Sequence, residues 1–292
     1  MDTGATRDAV RQRIAERRRR LTESRALSPV AAVARRFKEI DGATQGVLVS
    51  VQIFTVVIPL MILGFSYSTG FAEHVSPGTV WIRELDLDGP ASEAVRSAFG
   101  DSAGLRSTWT VLGLAAFLAW GIPMSITVAG MFAKAWQREQ FRARERLLRG
   151  SAWFVLYLTM LVLRERLAFG PEYGSGTQVA MIVVSLIPVW VFWSLTPVIL
   201  VRDGGHGFKY LALVGLSGVV IDGIIVPIIG RFIFPDVIGA WTQFGPIGVA
   251  MALMTWCAVL GTAWVITACI GAVLWERTAP TETVIEAQTA GD

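Results

Sequence analysis

The chain has 292 residues, 53% of them hydrophobic and 17% charged, with a net charge of +3. Soluble domains sit nearer roughly 45–50% apolar, and here the excess falls in runs of about 20 residues, the length of a bilayer crossing. Composition therefore argues against two soluble domains and for one membrane domain, and the small net charge averages a basic beginning with an acidic end.

Residues 1–27 form a basic cytoplasmic arm containing Arg17, Arg18, Arg19 and Arg20. Such an arm suits anionic lipid headgroups, although a basic flank beside a first span is also what the charge-orientation rule demands. Aromatic residues to stack bases are missing from it, so no nucleic-acid partner is expected. The arm is polar and carries no apolar core of a secretory signal, so none is predicted. Ser28-Pro29 then opens a helix, with Ser as N-cap and Pro in the first turn. Residues 28–42 predict an interfacial amphipathic helix. Val30, Val33, Phe37 and Ile40 share its apolar face, and Arg35, Arg36 and Lys38 lie off it, directed at headgroups.

Six transmembrane helices are predicted, over about 43–66, 108–133, 147–169, 178–201, 210–230 and 247–274, which makes the fold an all-α polytopic membrane bundle. Interior prolines recur: Pro59, Pro123, Pro188 with Pro197, and Pro227. Each lacks an N–H and frees a carbonyl one turn back. Such kinks occur in transporters with broken helices and in ordinary membrane bundles. Gln52 in the first span either lines a path or ties helices together. In the third span Arg164, Glu165 and Arg166 fall near the far headgroups, where snorkelling accounts for them. The loops carry no metal or catalytic motif. Asp86-Leu87-Asp88-Gly89 departs from a calcium loop, since Pro90 takes the fifth position. His74 and His206 fall in loops assigned to opposite sides of the membrane, so no shared metal site or ribonuclease-type cluster is expected. Cys257 and Cys269 lie in one helical run about 18 Å apart, too far for a disulfide. Residues 232–246 read as a loop, and 275–292 as a short acidic cytoplasmic tail without order. No cofactor is implied.

Asp222 stands out, an acid well inside an apolar span and five residues before Pro227. An intramembrane carboxylate costs about 2.5–3.5 kcal/mol on insertion scales, so it faces a partner, a cavity or water. It is either a proton or cation site on a transport path, or a structural acid paired with Arg231, Arg164, Arg166 or backbone freed by Pro227. Asp222, Gln52, Pro59, Pro188, Pro197 and Pro227 are the transport-path candidates. Lys and Arg concentrate in the N-terminal arm and in residues 134–149 but are few in 71–106, which predicts both termini in the cytoplasm.

Four stretches carry a family resemblance: ARRFKEIDGATQGVLVSVQIFTVVIPLMILGF (34–65), FAKAW (132–136), SLTPVILVRDGGHGFKYLALVGLSGVV (194–220) and FGPIGVAMALMTWCAVLGTAWVITACIGAVLWE (244–276). Over about residues 34–276 the chain resembles the YihY/BrkB family of bacterial inner-membrane proteins. It departs from the family at Val51-Gln52-Ile53-Phe54, where tyrosine is common, and at Val273 to Trp275, where an acid and an amide are common. The resemblance implies a multi-pass inner-membrane protein with an envelope role, handling or translocating a lipid or other amphiphile; separately, the small-residue face of the fifth span (Gly215, Ser217, Gly218, Gly223) suits a neighbour within the chain or in a homo-oligomer. A non-transporting scaffold that docks anionic lipid or a partner through the basic arm is the alternative. The family's ribonuclease label finds no support in these residues, and no enzyme activity is expected.

Overall fold

The computed structural model describes residues 28–68, 106–168, 175–205, 208–281 and 283–284, with residues 19, 89–90 and 92–93. Among them there is no strand. In chain order the helices are α1 (Pro29–Glu39), α2 (Gly42–Ser68), α3 (Arg106–Ala135), α4 (Ala143–Ala168), α5 (Ser175–Leu200) and α6 (Phe208–Gly218), followed by a π-helical segment (Val219–Ile225). Then come α7 (Val226–Phe232), α8 (Phe234–Trp241), a 3-10 turn (Thr242–Phe244) and α9 (Gly245–Thr278).

Four of these stretches are long and apolar enough to cross a membrane: Ala143–Arg164, Ala180–Leu200, Lys209–Phe232 and Ile247–Thr278. The bent pair α1–α2 makes a fifth if it is taken as one broken span, its two helices turning by 69°. Asp41, at a φ of 52°, makes that turn. Ser28 caps α1, its hydroxyl accepting from the Ala31 N–H at 3.2 Å, with Pro29 just inside.

The chain divides into two compact units. The first comprises Met1–Ala43, Ala129–Val219 and Val265–Asp292. Its core is aromatic. Trp153 and Phe192 lie 5.6 Å apart, Phe192 meets Trp193 edge-on at 5.1 Å, and Trp193 stacks on Phe132 at 6.3 Å. A buried indole needs an acceptor, and Trp153 Nε1 donates to Thr196 Oγ1 at 3.1 Å, whose hydroxyl donates in turn to the Phe192 carbonyl. Gly218 lies flat against the Trp193 ring, so α5 and α6 approach where a side chain on α6 would clash.

The second unit comprises Thr44–Val128 and Val220–Trp264. Small residues join α2 to α9. A Cβ on Gly261 would fall 2.7 Å from the Ser50 backbone nitrogen, and one on Gly46 would fall 3.1 Å from Thr262 Oγ1. With apolar lipid on every side, such close backbone approach and dispersion contact hold helices together.

Two segments read as irregular contain helix or buried residues among the described positions. Residues 232–246 contain α8, because Phe234 and Ile238 share a face at i,i+4 and are buried, Phe234 lying 5.3 Å from the Trp256 ring. At the other end, α9 continues past residue 274 to Thr278, and Trp275, Glu276, Ala279 and Val284 are buried rather than part of a loose tail.

Candidate functional site

The sequence around Asp222 decides its backbone. Pro227 cannot donate to a carbonyl one turn earlier, and the run from Val219 to Val226 is crowded with β-branched side chains. The helix widens to π geometry over Val219–Ile225 and then restarts as α7 with Pro227 in its first turn, where the missing N–H is no loss. Single wide turns of this kind occur frequently at functional sites. Asp222 sits at the middle of the wide segment.

The surroundings of Asp222 are split by side. Val220, Ile224, Ile225 and Ile228 are each more than 40% exposed, as expected of side chains facing lipid, whereas Ile221, Asp222 and Val226 are buried. Toward the interior, the Trp264 indole Nε1 of α9 donates to Asp222 Oδ1 at 3.4 Å. That distance is long for a hydrogen bond to a carboxylate, which ordinarily closes to about 2.7–2.9 Å. No three of His, Cys, Asp and Glu are close enough to hold a metal ion together among the described residues. What the site offers chemically is the Asp222 carboxylate, a group type able to take up a proton or meet a cation or polar headgroup.

Trp264 did not emerge from the sequence. Its signal was an indole N–H within a long apolar span, which must find an acceptor, and Asp222 is an available one. The threonines of the same span have local roles: Thr255 donates back to Met251, Thr262 packs at Gly46 and Thr267 is buried.

The other path candidates fall in both units. Gln52 and Pro227 belong, with Asp222, to the second unit; both are half-buried. The Gln52 carbonyl accepts from Thr55 Oγ1 at 2.9 Å. Pro59 lies within α2, and its side chain is outside the described residues. Pro188 and Pro197 belong to the first unit. Pro197 lies inside α5, which runs on to Leu200; its carbonyl accepts from the Val201 N–H at 3.0 Å, and Gly204 comes so close to that carbonyl that any Cβ would collide with it.

One headgroup candidate is corrected. Arg36 is 5% exposed and cannot reach a membrane surface. The side of α1 that is buried carries Ala32 and Arg36, while Val30, expected on the apolar face, is 80% exposed. The reason is a partner far along the chain. Arg36 Nη2 donates to both carboxylate oxygens of Glu276 at 2.9 Å, and Nη1 donates to the Ala135 carbonyl at the end of α3. Glu276 is 3% exposed, so this is a buried ion pair joining α1, α3 and α9 within the first unit. Arg35 is engaged with Glu39 at 3.4 Å, Lys38 is exposed, Arg19 is exposed, and Arg17, Arg18 and Arg20 lie outside the described residues.

No family model, curated protein or solved structure matches the chain.

Proposed function

We propose that the chain is a six-span inner-membrane protein of the YihY/BrkB type, with both termini in the cytoplasm and α1 lying along the membrane surface. It handles or translocates a lipid or other amphiphile for envelope maintenance. The observation that carries this reading is Asp222, a buried carboxylate on a π-widened turn of an apolar helix and met by a long indole hydrogen bond. A carboxylate inside an apolar span is costly unless it is paired or used. The widened turn supplies a backbone that can rearrange around it, and Pro227 keeps the turn from closing into regular helix. Substrate polar groups or protons exchange at the carboxylate while the acyl part stays in lipid.

The test is reconstitution of the purified full-length protein into vesicles that contain a fluorescent short-chain phospholipid in both leaflets. Loss of outer-leaflet signal after adding a membrane-impermeant quencher reads lipid movement. The wild type should move lipid, and Asp222→Asn should slow it by at least about tenfold, since an amide can neither carry a proton nor hold a charge. A wild type no faster than empty vesicles would refute the lipid-handling reading.

A further inference from the structure

The corner joining α3 to α4 carries Lys134, Arg138, Arg142, Arg144, Arg146 and Arg149 against Glu139 and Glu145. Both acids are engaged: Glu145 with Arg149 at 3.0 Å, Glu139 with Arg202 at 3.2 Å. Lys134, Arg142 and Arg144 are exposed, with no carboxylate in ion-pair range among the described residues. A charged face alone would be an ordinary solvated surface. Two buried features make this corner different.

Trp136 is 2% exposed and packs on Trp275 with ring centroids 5.5 Å apart, yet its indole N–H meets no acceptor among the described residues. Gln137, at a φ of 52°, turns the chain out of α3, and the Arg138 guanidinium lies over the Trp275 ring at 5.3 Å. At the fourth position of α4, Arg146 is held by a 2.7 Å bond from Nη1 to Gln140 Oε1, and its buried Nε–H also meets no acceptor among the described residues. A buried donor left without an acceptor is uncommon in a native structure and requires an explanation. Fixed donors among several cations suit an anion with several acceptor oxygens, above all a phosphate.

The neighbouring helix identifies the source of that phosphate. The membrane-compatible stretch of α4 begins at Ala143, directly after the corner. From it Leu148, Val155 and Val162 project at seven-residue spacing, 63%, 62% and 59% exposed. They form an apolar stripe leading away from the cationic corner, which a free phosphate would not use and an acyl chain would.

We propose that the α3–α4 corner is a binding site for an anionic phospholipid, with the headgroup phosphate held at Trp136, Arg138 and Arg146 and an acyl chain along Leu148, Val155 and Val162. It is separate from the residues of α1 and the N-terminal arm and does not depend on the role of Asp222.

The experiment is native mass spectrometry of the purified full-length protein in detergent, titrated with phosphatidylglycerol or with phosphatidylcholine of the same chains. The expected result is about tenfold tighter binding of phosphatidylglycerol, falling several-fold in Arg146→Gln and in Trp136→Phe. The exposed double variant Arg142→Gln/Arg144→Gln removes twice the charge and should lose less than Arg146→Gln alone. Loss in proportion to charge removed, wherever it lies, would overturn the site in favour of diffuse attraction. Inorganic phosphate that displaces the lipid at equal concentration would overturn the lipid assignment in favour of a free anion. Thermal unfolding without lipid is measured for each variant, and if Arg146→Gln does not fold, Trp136→Phe decides alone, since it removes the N–H and keeps an aromatic ring.

Discussion

Arg36, Asp222 and Glu276 are the charged residues buried among those described, and the two acids have been solved in opposite ways. Glu276 sits near the end of a regular α-helix and is gripped on both oxygens by one guanidinium at 2.9 Å. Asp222 sits on a π-helical turn and receives an indole N–H at 3.4 Å. The first arrangement is short, charge-assisted and bidentate, the geometry that fixes a register. In the second the indole bond is long and its donor neutral, and the backbone is already off the regular ladder. A buried charge is therefore not one signal but two. On the proposed reading, what meets the carboxylate and the backbone beneath it separate an anchor from a working group.

The contrast can be broken at the anchor first, where the effects are largest. Glu276→Ala takes the bidentate partner from a buried guanidinium, leaving it the Ala135 carbonyl and the exposed Glu39 at 3.7 Å, and should destabilise the first unit by about 3–5 kcal/mol. A drop in the midpoint of thermal unfolding in detergent reads this. Replacing both partners, Arg36→Met with Glu276→Leu, should recover most of that loss, because the uncompensated charge goes with its partner. If the double variant is no better than the single, the pair is not the unit that matters.

Packing in the second unit gives the next effect. Gly261→Ala puts a Cβ 2.7 Å from the Ser50 nitrogen, where backbone cannot step aside, and should cost about 1–3 kcal/mol in the same unfolding assay. Trp264→Phe keeps the ring contacts and removes the N–H, so a smaller loss of about 1 kcal/mol is expected. On the proposed reading it should nonetheless alter lipid movement, because the lost N–H is the one that meets the Asp222 carboxylate. The smallest effect belongs to Arg35→Ala. Its exposed pair with Glu39 should leave the unfolding midpoint within about 0.5 kcal/mol of wild type.

The two sites also differ in how far the sequence revealed them. Asp222 and Pro227 are conspicuous because each breaks an apolar run, and the apolar runs themselves mark the long helices. Pro227 predicted a broken hydrogen-bond ladder but not its form; the widening to a π segment depends on the chain re-entering helix at Val226. Trp264 could not be matched to Asp222, since pairing across helices leaves no mark in local periodicity. Arg36 was misread for the same reason. A helical wheel sends charges outward, and its partner lies 240 residues away. α8 was hidden by Pro235 and Gly239, although Phe234 and Ile238 held the spacing that buries it.

The most direct measurement compares Asp222→Asn with Glu276→Gln, taking the unfolding midpoint and lipid movement per folded molecule from the same preparations. Asp222→Asn should unfold as wild type does and move lipid at least about tenfold more slowly, while Glu276→Gln should unfold early with its folded fraction moving lipid normally. If Asp222→Asn unfolds early and its folded fraction moves lipid at the wild-type rate, Asp222 is a second anchor and the contrast between the two acids fails.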